Sequence, residues 1–224
     1  DVYLIKTDET GQEQWSQTFG GAFHDYGYSV QQTDDGGYVF VGNTTHSYGN
    51  GDKDVYLIKT DEDGQEQWSQ SFGEASSDYG WSVQQTTDGG YIISGGIYFF
   101  KNLNRDLYLI KTDGGGQEQW SQAFGGMGGD VGRSVQQTAD GGYIITGHTH
   151  SFGNGDKDVY LIKTDADGQE QWSQTLGGEG DDSGWSIQQT TDGGYIITGN
   201  TYSFGNGDRD VYLIKTDEDG QEQW

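Results

Sequence analysis

The chain has 224 residues, no proline, no cysteine and one methionine, and its 36 acidic against 11 basic side chains leave a formal net charge of −25. Disulfides are excluded, and a charge of that sign repels nucleic-acid phosphates and anionic membrane surfaces. No apolar stretch approaches the about 18 residues of a membrane-spanning helix, and aromatic residues spaced regularly along the chain argue against disorder.

Read from its start, the chain opens with Asp1-Val-Tyr-Leu-Ile-Lys-Thr-Asp8, a turn through Gly11, and a second strand around Trp15. Next comes Ser29-Val-Gln-Gln-Thr33, the tripeptide Asp35-Gly36-Gly37, and the apolar run from Tyr38. The opening words then return at Asp54, and the whole cycle repeats to the end of the chain. Trp15, Trp68, Trp120, Trp172 and Trp224 follow one another at 53, 52, 52 and 52 residues. Such a period, holding several short strands, predicts the blades of a propeller.

Each repeat is read as four antiparallel strands, A to D. In one copy these are Trp81 to Thr86, Tyr91 to Gly95, Asp106 to Thr112 and Glu118 to Phe124. Asp88-Gly89-Gly90 joins A to B as a hairpin signal, because glycine accepts positive φ. Strands B and C are apolar on both faces, as a sheet stacked between two others requires. Trp68 and Phe72 share one face of strand D and are expected to fill the gap between blades. The lysines at 6, 59, 111, 163 and 215 recur in strand C and are expected to pair blade to blade with acids.

The expected fold is an all-β propeller of four blades, with boundaries at 27–73, 80–125, 132–177 and 184–224. A half blade at 1–20 is surplus, since the chain holds four A–B pairs and five C–D pairs. The first and last fifteen residues differ only at Thr10 against Asp219. The ends read as a segment of a longer array, or as hairpins that complete a blade in a neighbouring molecule. The exposed hairpin would bare Val2, Leu4, Ile5 and Trp15, or Val211, Leu213, Ile214 and Trp224.

The words DVYLIKTD..G...W, SVQQT.DGGYIITG and T.SFGNGD resemble the repeats of secreted or cell-surface β-propeller proteins of bacteria and archaea. The resemblance covers the whole chain. It implies an extracellular or cell-surface location and no particular activity.

Where the repeats diverge, recognition is expected. The D–A and B–C loops should share one face. The B–C loop of the second blade departs from the others at Tyr98, Phe99, Phe100 and Lys101. With Tyr28, Trp81, Arg133 and Trp185 at the start of strand A, these residues are the candidate ligand contacts. Asp25, Asp78, Asp130 and Asp182 recur in the D–A loops, where they either hold Ca²⁺ with oxygen ligands or bond their own loop backbone. No Cys–His pair, Gly-x-Ser-x-Gly elbow or phosphate-cradling loop is present. The sequence therefore predicts a non-enzyme: a structural or adhesive module that polymerises through its terminal hairpins, or a module binding glycan or peptide on the variable face. No organic cofactor, nucleic acid or membrane insertion is expected.

Overall fold

In a computed structural model, residues 1–45, 52–74, 76–99 and 104–224 are described. Strands β1 (Val2–Thr7) and β2 (Glu13–Phe19) form a hairpin of their own. Three four-stranded antiparallel sheets follow. The first holds β3 (Asp25–Gln32), β4 (Tyr38–Thr44), β5 (Asp54–Thr60) and β6 (Glu66–Phe72). The second holds β7 (Tyr79–Gln85), β8 (Tyr91–Phe99), β9 (Asn104–Thr112) and β10 (Glu118–Phe124). The third holds β11 (Asp130–Gln137), β12 (Tyr143–Thr149), β13 (Asp158–Thr164) and β14 (Glu170–Leu176). A last sheet contains β15 (Asp182–Gln189), β16 (Tyr195–Thr201) and β17 (Asp210–Thr216), after which a single bridge joins Thr216 to Glu222.

The sheets stack face to face because their middle strands are apolar on both sides. Val39, Val41, Val55 and Leu57 of one sheet pack against Val83, Tyr91, Ile93 and Ile110 of the next, all of them buried. The same contact recurs twice along the chain. Each such side chain removed from water contributes roughly 1.5–3 kcal/mol. The first strands of the sheets, β3, β7, β11 and β15, gather around a common cavity lined by Val30, Val83, Val135 and Ile187 with Gln31, Gln84, Gln136 and Gln188. There Oε1 of Gln31, Gln84 and Gln136 accepts the backbone N–H of Gln85, Gln137 and Gln189, each at 2.6 Å. These bonds fix the register of each first strand against its neighbour.

Two contacts differ from expectation. The buried lysines pair within their own sheet. Lys59, Lys111 and Lys163 reach Asp35, Asp88 and Asp140 of the turn between the first two strands, at 2.8–2.9 Å, and Lys215 reaches Asp192 at 3.0 Å. Each ammonium also donates to the carbonyl of the following threonine. Lys6 belongs to the hairpin that has no such turn, and lies instead over the Tyr38 ring at 5.7 Å.

The strand-D tryptophans do sit between sheets, but half-buried at the rim. Trp68, Trp120 and Trp172 lean on Tyr91, Tyr143 and Tyr195 of the following sheet at 5.7–6.0 Å. Each also covers a turn glycine at φ +78°, Gly116, Gly168 or Gly220, where any Cβ would strike the indole. Trp224 has no following sheet and is exposed.

This contrast gives an internal control. Trp120→Ala should destabilise the chain by roughly 2–3 kcal/mol, below the 3–5 kcal/mol of a fully buried ring, while Trp224→Ala should leave the urea midpoint unchanged. Equal effects of the two substitutions would refute the rim packing.

Candidate functional site

In each of the four first strands the pairing skips one residue. Gly27 faces Gly42 and Ser29 faces Val41, which leaves Tyr28 without a partner. Trp81, Arg133 and Trp185 are left out in the same way. A β-bulge of this kind re-aims the side chain of its extra residue. The bulge depends on a glycine in the second strand: a Cβ on Gly42, Gly95, Gly147 or Gly199 would overlap the carbonyl of Tyr26, Tyr79, Val131 or Ser183.

The four re-aimed side chains meet. The Tyr28 and Trp81 rings are 4.3 Å apart. The Arg133 guanidinium lies 4.3 Å from the Trp81 ring and 4.8 Å from that of Trp185, so it is held between two indoles. The result is a collar running across the four first strands, half-exposed at its ends at Tyr28 and Trp185. Trp185 is oriented by donating its Nε1–H to Asn200 Oδ1 at 2.6 Å, and Arg209 Nη2 donates to the same oxygen at 2.8 Å.

A second tier stands beside the collar. Tyr26 stacks on Tyr28 and Tyr79 on Trp81. Lys53 lies over both Tyr26 and Tyr79, and Arg105 over Tyr79 at 4.6 Å. The D–A and B–C loops meet on this face, where Asp78 N–H donates to Lys53 carbonyl, His150 N–H to Gly129 carbonyl and Asp182 N–H to Lys157 carbonyl.

Sequence reasoning named Tyr28, Trp81, Arg133 and Trp185, and these come together. It missed Tyr26, Lys53, Tyr79, Arg105 and Arg209. A signal was present: with the five strand-C lysines set aside, Lys53, Arg105, Arg133, Lys157 and Arg209 fall on this face's loops or strand starts. Tyr98 and Phe99 are placed differently from expectation. They extend β8 by pairing with Arg105 and Asn104, and Phe99 packs on the apolar core instead of offering a free stacking surface. Phe100 and Lys101 lie outside the described residues.

Asp25, Asp78, Asp130 and Asp182 are buried on four separate sheets, and each accepts the N–H of the residue four places earlier. Asp130 and Asp182 also accept the hydroxyls of Ser151 and Ser203. Among the described residues no three His, Cys, Asp or Glu side chains converge to hold a metal. His148 and His150 meet edge to face, and burial together with Arg133 holds His148 down at about 3, so it is neutral at physiological pH.

No family model and no curated protein matches the sequence. Among solved structures, a protein described as an exo-β-1,3-galactanase of Bifidobacterium bifidum S17 superposes with TM-score 0.51 at 15% identity, over 89% of this chain and 70% of that one. The fold is that of a β-propeller. An endo-1,5-α-L-arabinanase of Thermotoga petrophila RKU-1 (TM-score 0.47, 15% identity, 88% and 57% covered) and a bifunctional GH43-CE protein of Bacteroides eggerthii (0.48, 14%, 88% and 26%) are further matches. This chain thus spans between about a quarter and 70% of the length of these propellers. The expectation of a non-enzyme does not stand: the structure named as a galactanase has the same fold, so nothing in the fold sets this chain apart from enzymes. The lack of a nucleophile elbow or Cys–His pair excludes those chemistries alone.

The loop aspartates make folding depend on pH in two opposed ways. Burial, opposed by the Tyr98 and Glu74 amides, pushes the Asp78 carboxyl up to about 6. The unfolded chain releases that proton near pH 4, so stability should fall as pH rises from about 4 to 6. Asp35 is held at about 2 by Lys59 and Thr33, and Asp88 and Asp140, despite some burial, are held there by their lysine, threonine and glycine donors. Their contribution should be lost as pH falls from about 4 to 2. Melting temperature should therefore peak near pH 4, and Asp78→Asn should flatten the decline above it. An unaltered decline in Asp78→Asn would show that Asp78 is not its source.

Proposed function

We propose that this chain is a glycan-recognising propeller module whose site is the collar of Tyr28, Trp81, Arg133 and Trp185 on the D–A/B–C loop face. The observation that carries the reading is the set of four bulges. They hold aromatic planes side by side, half open to solvent at Tyr28 and Trp185, between a glycine and a serine that do not vary between repeats. Flat apolar rings beside a few fixed polar groups suit the C–H faces and hydroxyls of sugars. The galactanase-named and arabinanase-named propellers agree with a glycan-related role without specifying a ligand. Four repeats with a surplus half blade, of about 52 residues each, make up the module, and an extracellular or cell-surface place suits it.

Trp185→Ala should weaken oligosaccharide binding at least roughly tenfold by calorimetry, the loss expected of an anchoring aromatic, with the melting temperature little changed. A glycan array and a peptide array offered side by side test the class of ligand. Binding to peptides alone, or glycan binding indifferent to Trp185→Ala, would refute the reading.

The end sheets favour a second reading, self-association of this chain head to tail. On the last sheet Val211 is 86% exposed, whereas its counterparts Val55 and Val159 are fully buried against a following sheet. On the opening hairpin Tyr3 and Ile5 are exposed, whereas their counterparts Tyr56 and Ile58 are buried. The two bare faces are the two halves of the contact that recurs inside the chain, and head-to-tail contacts build rings or filaments. Light scattering should find oligomers that Val211→Lys with Leu213→Lys dissolves. A monomeric wild-type chain would refute this reading.

A further inference from the structure

The charge at the collar is out of keeping with the rest of the molecule. In a chain of net charge −25, Lys53, Arg105, Arg133, Lys157 and Arg209 all lie outside the lysine–aspartate pairs of the sheets and around the loop face. Lys157 pairs with Asp181 and Arg209 bonds Asn200. Arg133 and Arg105 are different. Among the described residues neither pairs with a carboxylate, and the Nε of each is buried without a hydrogen-bond partner.

A guanidinium carries five N–H donors in a planar fork, and a buried polar group left without a partner is costly. Stacking between Trp81 and Trp185 covers the two faces of Arg133 but satisfies none of its N–H groups, which lie in the plane. Burial, and then the neighbouring Arg105 charge, push the Arg133 pKa down. Two arginines stacked on neighbouring rings, each with an unpartnered Nε, offer a cradle for a planar anion. The fork matches a carboxylate bidentately, and the exposed ring of Trp185 offers the sugar a surface.

Resting on the glycan reading above, we propose that the collar selects acidic sugars, with Arg133 receiving the carboxylate of a uronic-acid unit, Arg105 adding to the field, and the exposed ring of Trp185 stacking on the sugar that bears it. Arg133 is then the residue that sets specificity, while Trp185 supplies affinity for sugars in general. The third repeat, which alone has arginine at the bulge where the others have tyrosine or tryptophan, supplies the charge.

The test uses the 224-residue chain, an oligogalacturonate, and the same oligosaccharide with its carboxylates reduced to primary alcohols. Calorimetry should show the acid bound at least roughly tenfold more tightly than its reduced form, with the gap narrowing as salt rises. Arg133→Gln should abolish that gap, so that the acid and its reduced form bind alike, and Trp185→Ala should weaken both. Equal binding of the two forms by the wild type would overturn the acidic preference and leave the glycan reading standing. A sulfated neutral oligosaccharide bound as tightly as the acid would overturn the carboxylate assignment. Binding of neither form, nor of any glycan on the array, would overturn the glycan reading itself. Circular dichroism of Arg133→Gln confirms that a loss of selectivity is not a loss of fold.

Discussion

Each interior sheet of this protein must bury both of its faces, and it does so against copies of itself. That constraint sets nearly everything else. Val55 and Leu57 on one side and Tyr56 and Ile58 on the other are all buried, so a sheet standing alone would leave a large apolar area in water. Stacking satisfies both faces and turns the sheets around an axis, with the first strands innermost. The glutamine ladder then locks those strands in register, and the buried lysine of each third strand ties it to the turn between the first two.

Within so repetitive a scaffold, specificity needs positions that can vary without disturbing the packing. The bulge provides one per repeat. Its cause is local and cheap: two glycines facing each other, Gly27 with Gly42 and their counterparts, let the backbone of the first strand come close enough to take up an extra residue. Because the extra residue leaves the ladder, its identity is free. Tyrosine, tryptophan, arginine and tryptophan occupy the four positions, whereas the residues on either side are glycine and serine in every repeat. A scaffold fixed by symmetry thus presents an asymmetric surface.

Much of this was legible in the sequence. The strand order, hairpin turns and stacking faces follow from repeated words with two-sided apolar strands, because local propensity and packing agree there. Other features were not legible. The lysines were assigned across sheets, but in space the turn aspartate lies next to them within the sheet, a proximity that depends on how far strand C reaches beneath the A–B turn. Phe99 looked like a loop aromatic, yet the hairpin runs two residues longer on each side and carries it into the core. The four candidate collar residues were visible as variable positions, while their mutual contact was not, since it needs the bulge. The recurring glycine in the middle of strand B is the signal that marks it, as glycine inside a strand often does. For the aspartates of the D–A loops the sequence offered two readings, a shared ion or a bond to the own loop, and each aspartate does bond its own loop.

The central claim is that ligand meets the collar and not the rim. The chain has seven tryptophans, two in the collar and five in strand-D positions, so indole N–H resonances in a nitrogen-proton NMR spectrum distinguish the two places in one titration with an oligosaccharide. The account predicts that the signals of Trp81 and Trp185 shift while those of Trp68, Trp120 and Trp172 stay in place. Shifts confined to the strand-D indoles would contradict it.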